Sequence, residues 1–133
     1  MSAPARVSPV LESRRDEVAG VEVHAHVGGE GPPVVLVHGY GVSGRYMLPL
    51  ARILASSCST FAPDLRGHGR SGQPGTALEI GDLADALGSW LDAVELERPA
   101  FVANSMGCQI VTELAVRRPE RVGPIRGAVS MSV

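Results

Sequence analysis

The stretch Phe101-Val102-Ala103-Asn104-Ser105-Met106-Gly107-Cys108 runs from a short apolar segment into a helical pattern, with a serine at the join. A serine on a tight strand-to-helix turn is held out from the backbone as a nucleophile elbow, whose usual form is G-x-S-x-G. Strained backbone angles at the serine, and the close approach of strand and helix, call for small residues two before and two after it. Ala103 and Gly107 occupy those positions, and alanine differs from glycine by a single methyl group. The helix that follows points its free amides and positive dipole end at any negative charge developing near the serine, with Met106 N–H as one donor. The same residues also suit a simpler reading, a serine N-cap on a buried helix.

Working outward, turn residues divide the chain into short units. Val21, Val23, Ala25 and Val27 alternate with Glu22, His24 and His26, the period of a half-buried strand. Gly28, Gly29, Gly31 and Pro32 make a turn, and Val34-Val35-Leu36-Val37 has the unbroken apolar character of a strand buried on both faces of a parallel sheet. Met47, Leu50, Ala51 and Leu54 share a helical face, and Pro49 fits only in that helix's first turn, so the helix starts near Met47. A strand over Cys58 to Ala62 follows. Thr76 to Glu79 has the spacing of a capping box, ahead of a helix whose apolar face is Ile80, Leu83, Ala84, Leu87, Leu91 and Val94. Ala100 to Ala103 is a strand, Met106 to Ala115 a helix stopped by Pro119, and Ile125 to Val133 one more strand. This alternation predicts an α/β fold, a mostly parallel sheet with helices on both faces. Residues 1–20 are expected to hold an N-terminal segment and the first strand, and residues 21–133 the main domain.

Two further motifs bear on the serine. His38-Gly39-Tyr40-Gly41 follows the Val34–Val37 strand, and Asp64-Leu65-Arg66-Gly67-His68-Gly69-Arg70-Ser71 follows the next one. The first resembles the HG-x-G turn that supplies an oxyanion-hole amide in α/β-hydrolases. The second resembles the D-x-R-G-x-G-x-S loop of the same family. With the elbow, the motifs stand in the family's order and spacing, so the chain from about Gly20 onward looks like the N-terminal part of an α/β-hydrolase. It is most similar to the group of esterases, C–C bond hydrolases and cofactor-free haloperoxidase-like enzymes. The resemblance implies that Ser105 is the nucleophile and that the Tyr40 and Met106 amides form the oxyanion hole. It implies acyl transfer from a small-molecule substrate to the serine, then to water, without a cofactor or metal. His38, Gly39, Gly41, Asp64, Gly67, Gly69, Ala103 and Gly107 enter as structural residues of the motifs.

Other readings compete. Gly39-Tyr40-Gly41-Val42-Ser43-Gly44 satisfies G-x-G-x-x-G, and Asp64 stands 20 residues beyond Gly44, the outline of a dinucleotide-binding domain. That reading leaves the Ser105 elbow and the Arg66–Ser71 loop unexplained. His24 and His26 share a strand face and have the spacing of a metal pair, but no third ligand is close in sequence, which favours a solvated face on an edge strand. His68 reads as a surface residue, and Cys108 as a small packed core residue rather than a nucleophile.

Composition removes whole classes. Lys plus Arg is 12 against 14 Asp plus Glu, with no basic cluster, which excludes a nucleic-acid footprint. Cys58 and Cys108 make neither a disulfide framework nor a zinc site by themselves. The start lacks a secretion signal and no apolar run spans a membrane, so a cytoplasmic protein with no membrane partner is expected.

In α/β-hydrolases the triad acid and then the histidine follow the serine along the chain. After Ser105 the sequence offers Glu113 and Glu120 and no histidine, and neither glutamate is placed on a later strand's loop. The expectation is therefore a chain truncated after about the sixth strand, with little activity alone. The non-catalytic alternative is an α/β-hydrolase-fold fragment or binding module. Its last strand would offer an exposed edge for self-association.

Overall fold

The computed structural model describes residues 10–39, 42–65 and 78–128. β1 (Glu12–Val18) and β2 (Val21–Gly28) form a hairpin whose turn residues, Ala19 and Gly20, both have positive φ, at 50° and 78°. Two-residue hairpin turns of this hand match the twist of the strands they join. The remaining strands are β3 (Pro33–Val37), β4 (Ser59–Pro63), β5 (Ala100–Asn104) and β6 (Ile125–Ala128). They form a six-stranded sheet in the order β1-β2-β4-β3-β5-β6. β3 pairs in parallel with β4 and β5, and β5 with β6, while β2 joins the sheet antiparallel to β4.

The central position of β3 accounts for its unbroken apolar run. Val34 and Leu36 face one side with Met47, Ala51 and Ala62, under α1 (Leu48–Leu54). Val35 and Val37 face the other with Phe101 and Ala103, under α2 (Ile80–Ala93) and α3 (Met106–Arg117). Alternate residues of one strand thus feed two cores, and helices cover both faces as the sequence predicts. The second core is the larger. Trp90 fills its centre, 1% exposed, and meets Phe61 edge-on with ring centroids 6.2 Å apart. No helix among the described residues is long and apolar enough to cross a membrane.

Two local expectations need correction. α2 takes Glu79 as its N-cap, and the Glu79 N–H donates to the Asp82 carboxylate at 2.9 Å. Box spacing occurs twice in a row, at 76–79 and 79–82, and the second is used; Thr76 lies outside the described residues. His24 and His26 are not on a solvated edge: β1 covers the outer side of β2, and His24 is completely buried. β6 is described from Ile125 to Ala128, and the rest of the expected last strand, to Val133, lies outside the described residues.

Candidate functional site

Ser105 sits between the last residue of β5 and the first of α3, with φ 55° and ψ −121°. Positive φ places Cβ against the backbone, so side-chain-bearing residues avoid the region, and holding one there costs about 1–3 kcal/mol. The side chain makes no capping hydrogen bond to the helix it precedes. That geometry is the opposite of an N-cap, which has extended angles and turns its oxygen inward onto the helix amides. The N-cap reading of Ser105 therefore fails. Met106 is the first residue of α3, so its amide has no acceptor within the helix.

The small neighbours are required by contact. A Cβ on Gly107 would strike the carbonyl oxygen of Val37 and stand 2.9 Å from that of His38, because α3 leaves the sheet directly over the end of β3. Ala103 is completely buried in the larger core. A Cβ on Gly39 would meet Ser105 Cβ at 3.2 Å and Oγ at 3.7 Å, so the turn after β3 lies against the serine. Tyr40 and Gly41, the next residues of that turn, lie outside the described residues, as do Gly67, His68 and Gly69.

His38 is completely buried, and the backbone engages both its ring nitrogens. Nε2 accepts the Leu65 amide at 2.9 Å, which requires the proton on Nδ1, and Nδ1 donates to the Gly39 carbonyl at 2.7 Å. His38 so ties the turn after β3 to the segment after β4 and is poorly placed to take a proton from Ser105. Asp64, 2% exposed, receives the Gly44 amide on Oδ1 at 2.6 Å and faces His24 Nδ1 with Oδ2 at 2.9 Å. This removes the footing of the dinucleotide reading. The last glycine of the fingerprint and the acid that would hold a ribose are bonded to each other, and a 3₁₀ turn over Gly44–Met47 precedes α1. Cys108 is half-buried, and its thiol donates to the Ala103 carbonyl at 3.4 Å, consistent with a packing role.

The serine, the turn after β3 and the segment after β4 therefore form one connected unit at the ends of the parallel strands. A separate cavity of about 370 Å³ opens between the β1–β2 hairpin and α2, lined by Val18, Val21, Leu65, Leu83 and Trp90 among others; Ser105 does not line it. Sequence reasoning missed the His24–Asp64 contact. The residues are 40 apart in sequence and become neighbours only through the antiparallel register of β2 and β4.

Residues 32–132 match the family model of the alpha/beta hydrolase fold. The 2-hydroxymuconate semialdehyde hydrolase of Pseudomonas sp. (strain CF600) is 36% identical over 129 residues, covering 92% of this chain and 44% of the relative. The haloalkane dehalogenase of Mesorhizobium japonicum is 32% identical, covering 91% of this chain and 37% of the relative. Among solved structures, the epoxide hydrolase VrEH1 of Vigna radiata superposes with a TM-score of 0.84 at 27% identity, over 92% of this chain and 41% of that one. The chain spans about two-fifths of the length of the curated relatives it matches.

Proposed function

The chain belongs to the alpha/beta hydrolase fold family, and from that premise we propose that Ser105 is the nucleophile of a serine hydrolase acting on the carbonyl of a small ester or similar acyl compound. The observation that carries the reading is the backbone of Ser105, held at φ 55° and ψ −121° with its hydroxyl making no capping hydrogen bond to the helix it precedes. Strain of this kind persists only where the surroundings impose it, and it clusters at reacting groups.

In this mechanism Ser105 Oγ attacks the substrate carbonyl carbon, and the carbonyl oxygen takes up negative charge. The amide of Met106, at the start of α3, and, as the family resemblance implies, that of Tyr40, next in sequence after Gly39, donate to that oxygen. Each such donor contributes about 3 kcal/mol to lowering the barrier. Collapse of the tetrahedral intermediate expels the alcohol and leaves an acyl-serine, which water hydrolyses to the acid. A general base must take the hydroxyl proton, and His38 is committed to backbone on both nitrogens. Among the described residues, none is given the base or the acid role.

The test is hydrolysis of p-nitrophenyl acetate by the product of the full reading frame that encodes these residues, beside its Ser105→Ala variant. Turnover should fall at least about a thousandfold in the variant, as when a triad member is lost. Turnover that survives the substitution would overturn the assignment.

A further inference from the structure

We propose that His24, His26 and Asp64 form a binding site for a divalent transition-metal cation of the zinc class, clasping β2 to the end of β4. His24 and His26 stand two apart on β2 and so project to the same side of the sheet, with their rings perpendicular and centroids 4.7 Å apart. Asp64 follows β4 directly and is drawn beside His24 by strand pairing, its amide donating to the His24 carbonyl at 2.8 Å. One donor atom from each of the three side chains lies within 4.8 Å of the other two, with His24 and Asp64 buried and His26 half-buried. The third ligand that the sequence spacing of the histidines lacks is thus supplied by the fold.

The donor set has the right chemistry. Two imidazoles and one carboxylate suit zinc and its first-row neighbours rather than calcium or magnesium. Donors around a tetrahedral zinc sit about 3.3 Å apart, and His24 Nδ1 and Asp64 Oδ2 are 2.9 Å apart, so these two need spread by only a few tenths of an ångström. The outer contacts also fit. Asp64 Oδ1 accepts the Gly44 amide, and Oδ2, which faces His24 Nδ1, is the oxygen turned toward the histidine. His24 Nε2 lies 3.1 Å from Ser13 Oγ. When Nδ1 ligates, the ring proton moves to Nε2 and is donated to Ser13 Oγ, the outer-shell bond that fixes a ligating histidine's tautomer. The hydroxyl serves either tautomer, because it donates as well as accepts. Water would complete the coordination.

The experiment is a titration of chelator-treated, purified protein with Co²⁺ and Zn²⁺, read by visible absorption, calorimetry and melting temperature. One equivalent of Co²⁺ should develop the intense visible bands of a low-symmetry site, Zn²⁺ should bleach them, and Zn²⁺ should raise the melting temperature. His26→Gln should weaken binding by more than the ~10–100-fold typical of outer-shell changes, and Ser13→Ala by about tenfold. Absence of stoichiometric binding, or unaltered binding in His26→Gln, would overturn the site. Should His26→Gln fail to fold by circular dichroism, the Ser13→Ala variant decides. Ser13 is exposed, and unchanged affinity there would equally overturn the site.

Discussion

Ser105 is a residue whose backbone works against stability, and that gives a measurable signature. Replacing it with glycine removes a strain of about 1–3 kcal/mol and loses about 0.5–1 kcal/mol to the greater freedom of the unfolded chain. Ser105→Gly should therefore raise the urea midpoint by an amount equivalent to roughly 1 kcal/mol. Ser105→Ala keeps a Cβ at φ 55° and should leave the midpoint nearly unchanged. Equal stability of the two variants would show that the serine is unstrained. Gly107 makes the complementary prediction. The atoms that a Cβ would strike are main-chain oxygens of Val37 and His38, which cannot rotate away as a side chain would. Gly107→Ala should cost about 1–3 kcal/mol by the same measurement. Both positions were legible in the sequence, because a serine flanked by small residues at ±2 constrains the local backbone strongly. His24 was not. A histidine alternating with apolar residues has the pattern of a solvated face, and its burial depends on residues distant in sequence, Ser13 on the neighbouring strand β1 and Asp64 just after β4.

At the scale of elements, the strands and helices legible in sequence are those whose own residues carry the apolar period. β3, buried on both sides, and α2, with a continuous apolar face, stand out for that reason. β1 reads Glu-Ser-Arg-Arg-Asp-Glu-Val and is exposed along nearly its whole length, so its bounds rest on pairing with β2 and on cross-strand contacts such as Arg15–Glu22 at 2.6 Å. The joint between α2 and α3 is also electrostatic. Arg118 reaches Asp92 of α2 through two hydrogen bonds, at 2.9 and 3.0 Å, and Arg121 pairs with the same carboxylate. Hydrogen bonding from Arg118, reinforced by the positive charge of Arg118 and Arg121, outweighs burial and holds the Asp92 carboxyl below its ordinary value. A carboxyl depressed in the folded state stabilises fully above its unfolded pKa of about 3.9 and loses that contribution as pH falls through the folded value. Asp92 is 43% exposed, so solvent screening limits the contribution to about 1 kcal/mol or less. Asp92→Asn should lower the urea midpoint modestly near neutral pH, and the gap to the parent should shrink once the pH drops below the ordinary carboxyl range. A gap that stays constant with pH would mean that the charge of Asp92 contributes nothing.

For the whole molecule, the sheet's boundary matters most. The chain covers about two-fifths of its relatives' length, and its described sheet runs from β1 at one edge to β6 at the other. The two edges differ in chemistry. β1 carries Glu12, Arg14, Arg15, Asp16 and Glu17, charges that discourage a further strand from pairing. β6 is bonded to β5 on one side, and among the described residues no strand pairs with the other. It begins with Ile125, 42% exposed, and carries a single charge at Arg126. An open, weakly charged edge is a template for strand addition from another chain. The polypeptide of these 133 residues, expressed by itself, should therefore elute from size-exclusion chromatography ahead of a 13.9 kDa monomer. The shift should grow with protein concentration, because the association is between copies. Ile125→Lys places a charge on the edge in the manner of β1 and should return the elution toward the monomer. The Phe101–Ile125 pairing in the parallel register of β5 and β6 stays available to the backbone in that variant. A monodisperse monomer at every concentration, or an oligomer that Ile125→Lys leaves intact, would place the association elsewhere than at β6.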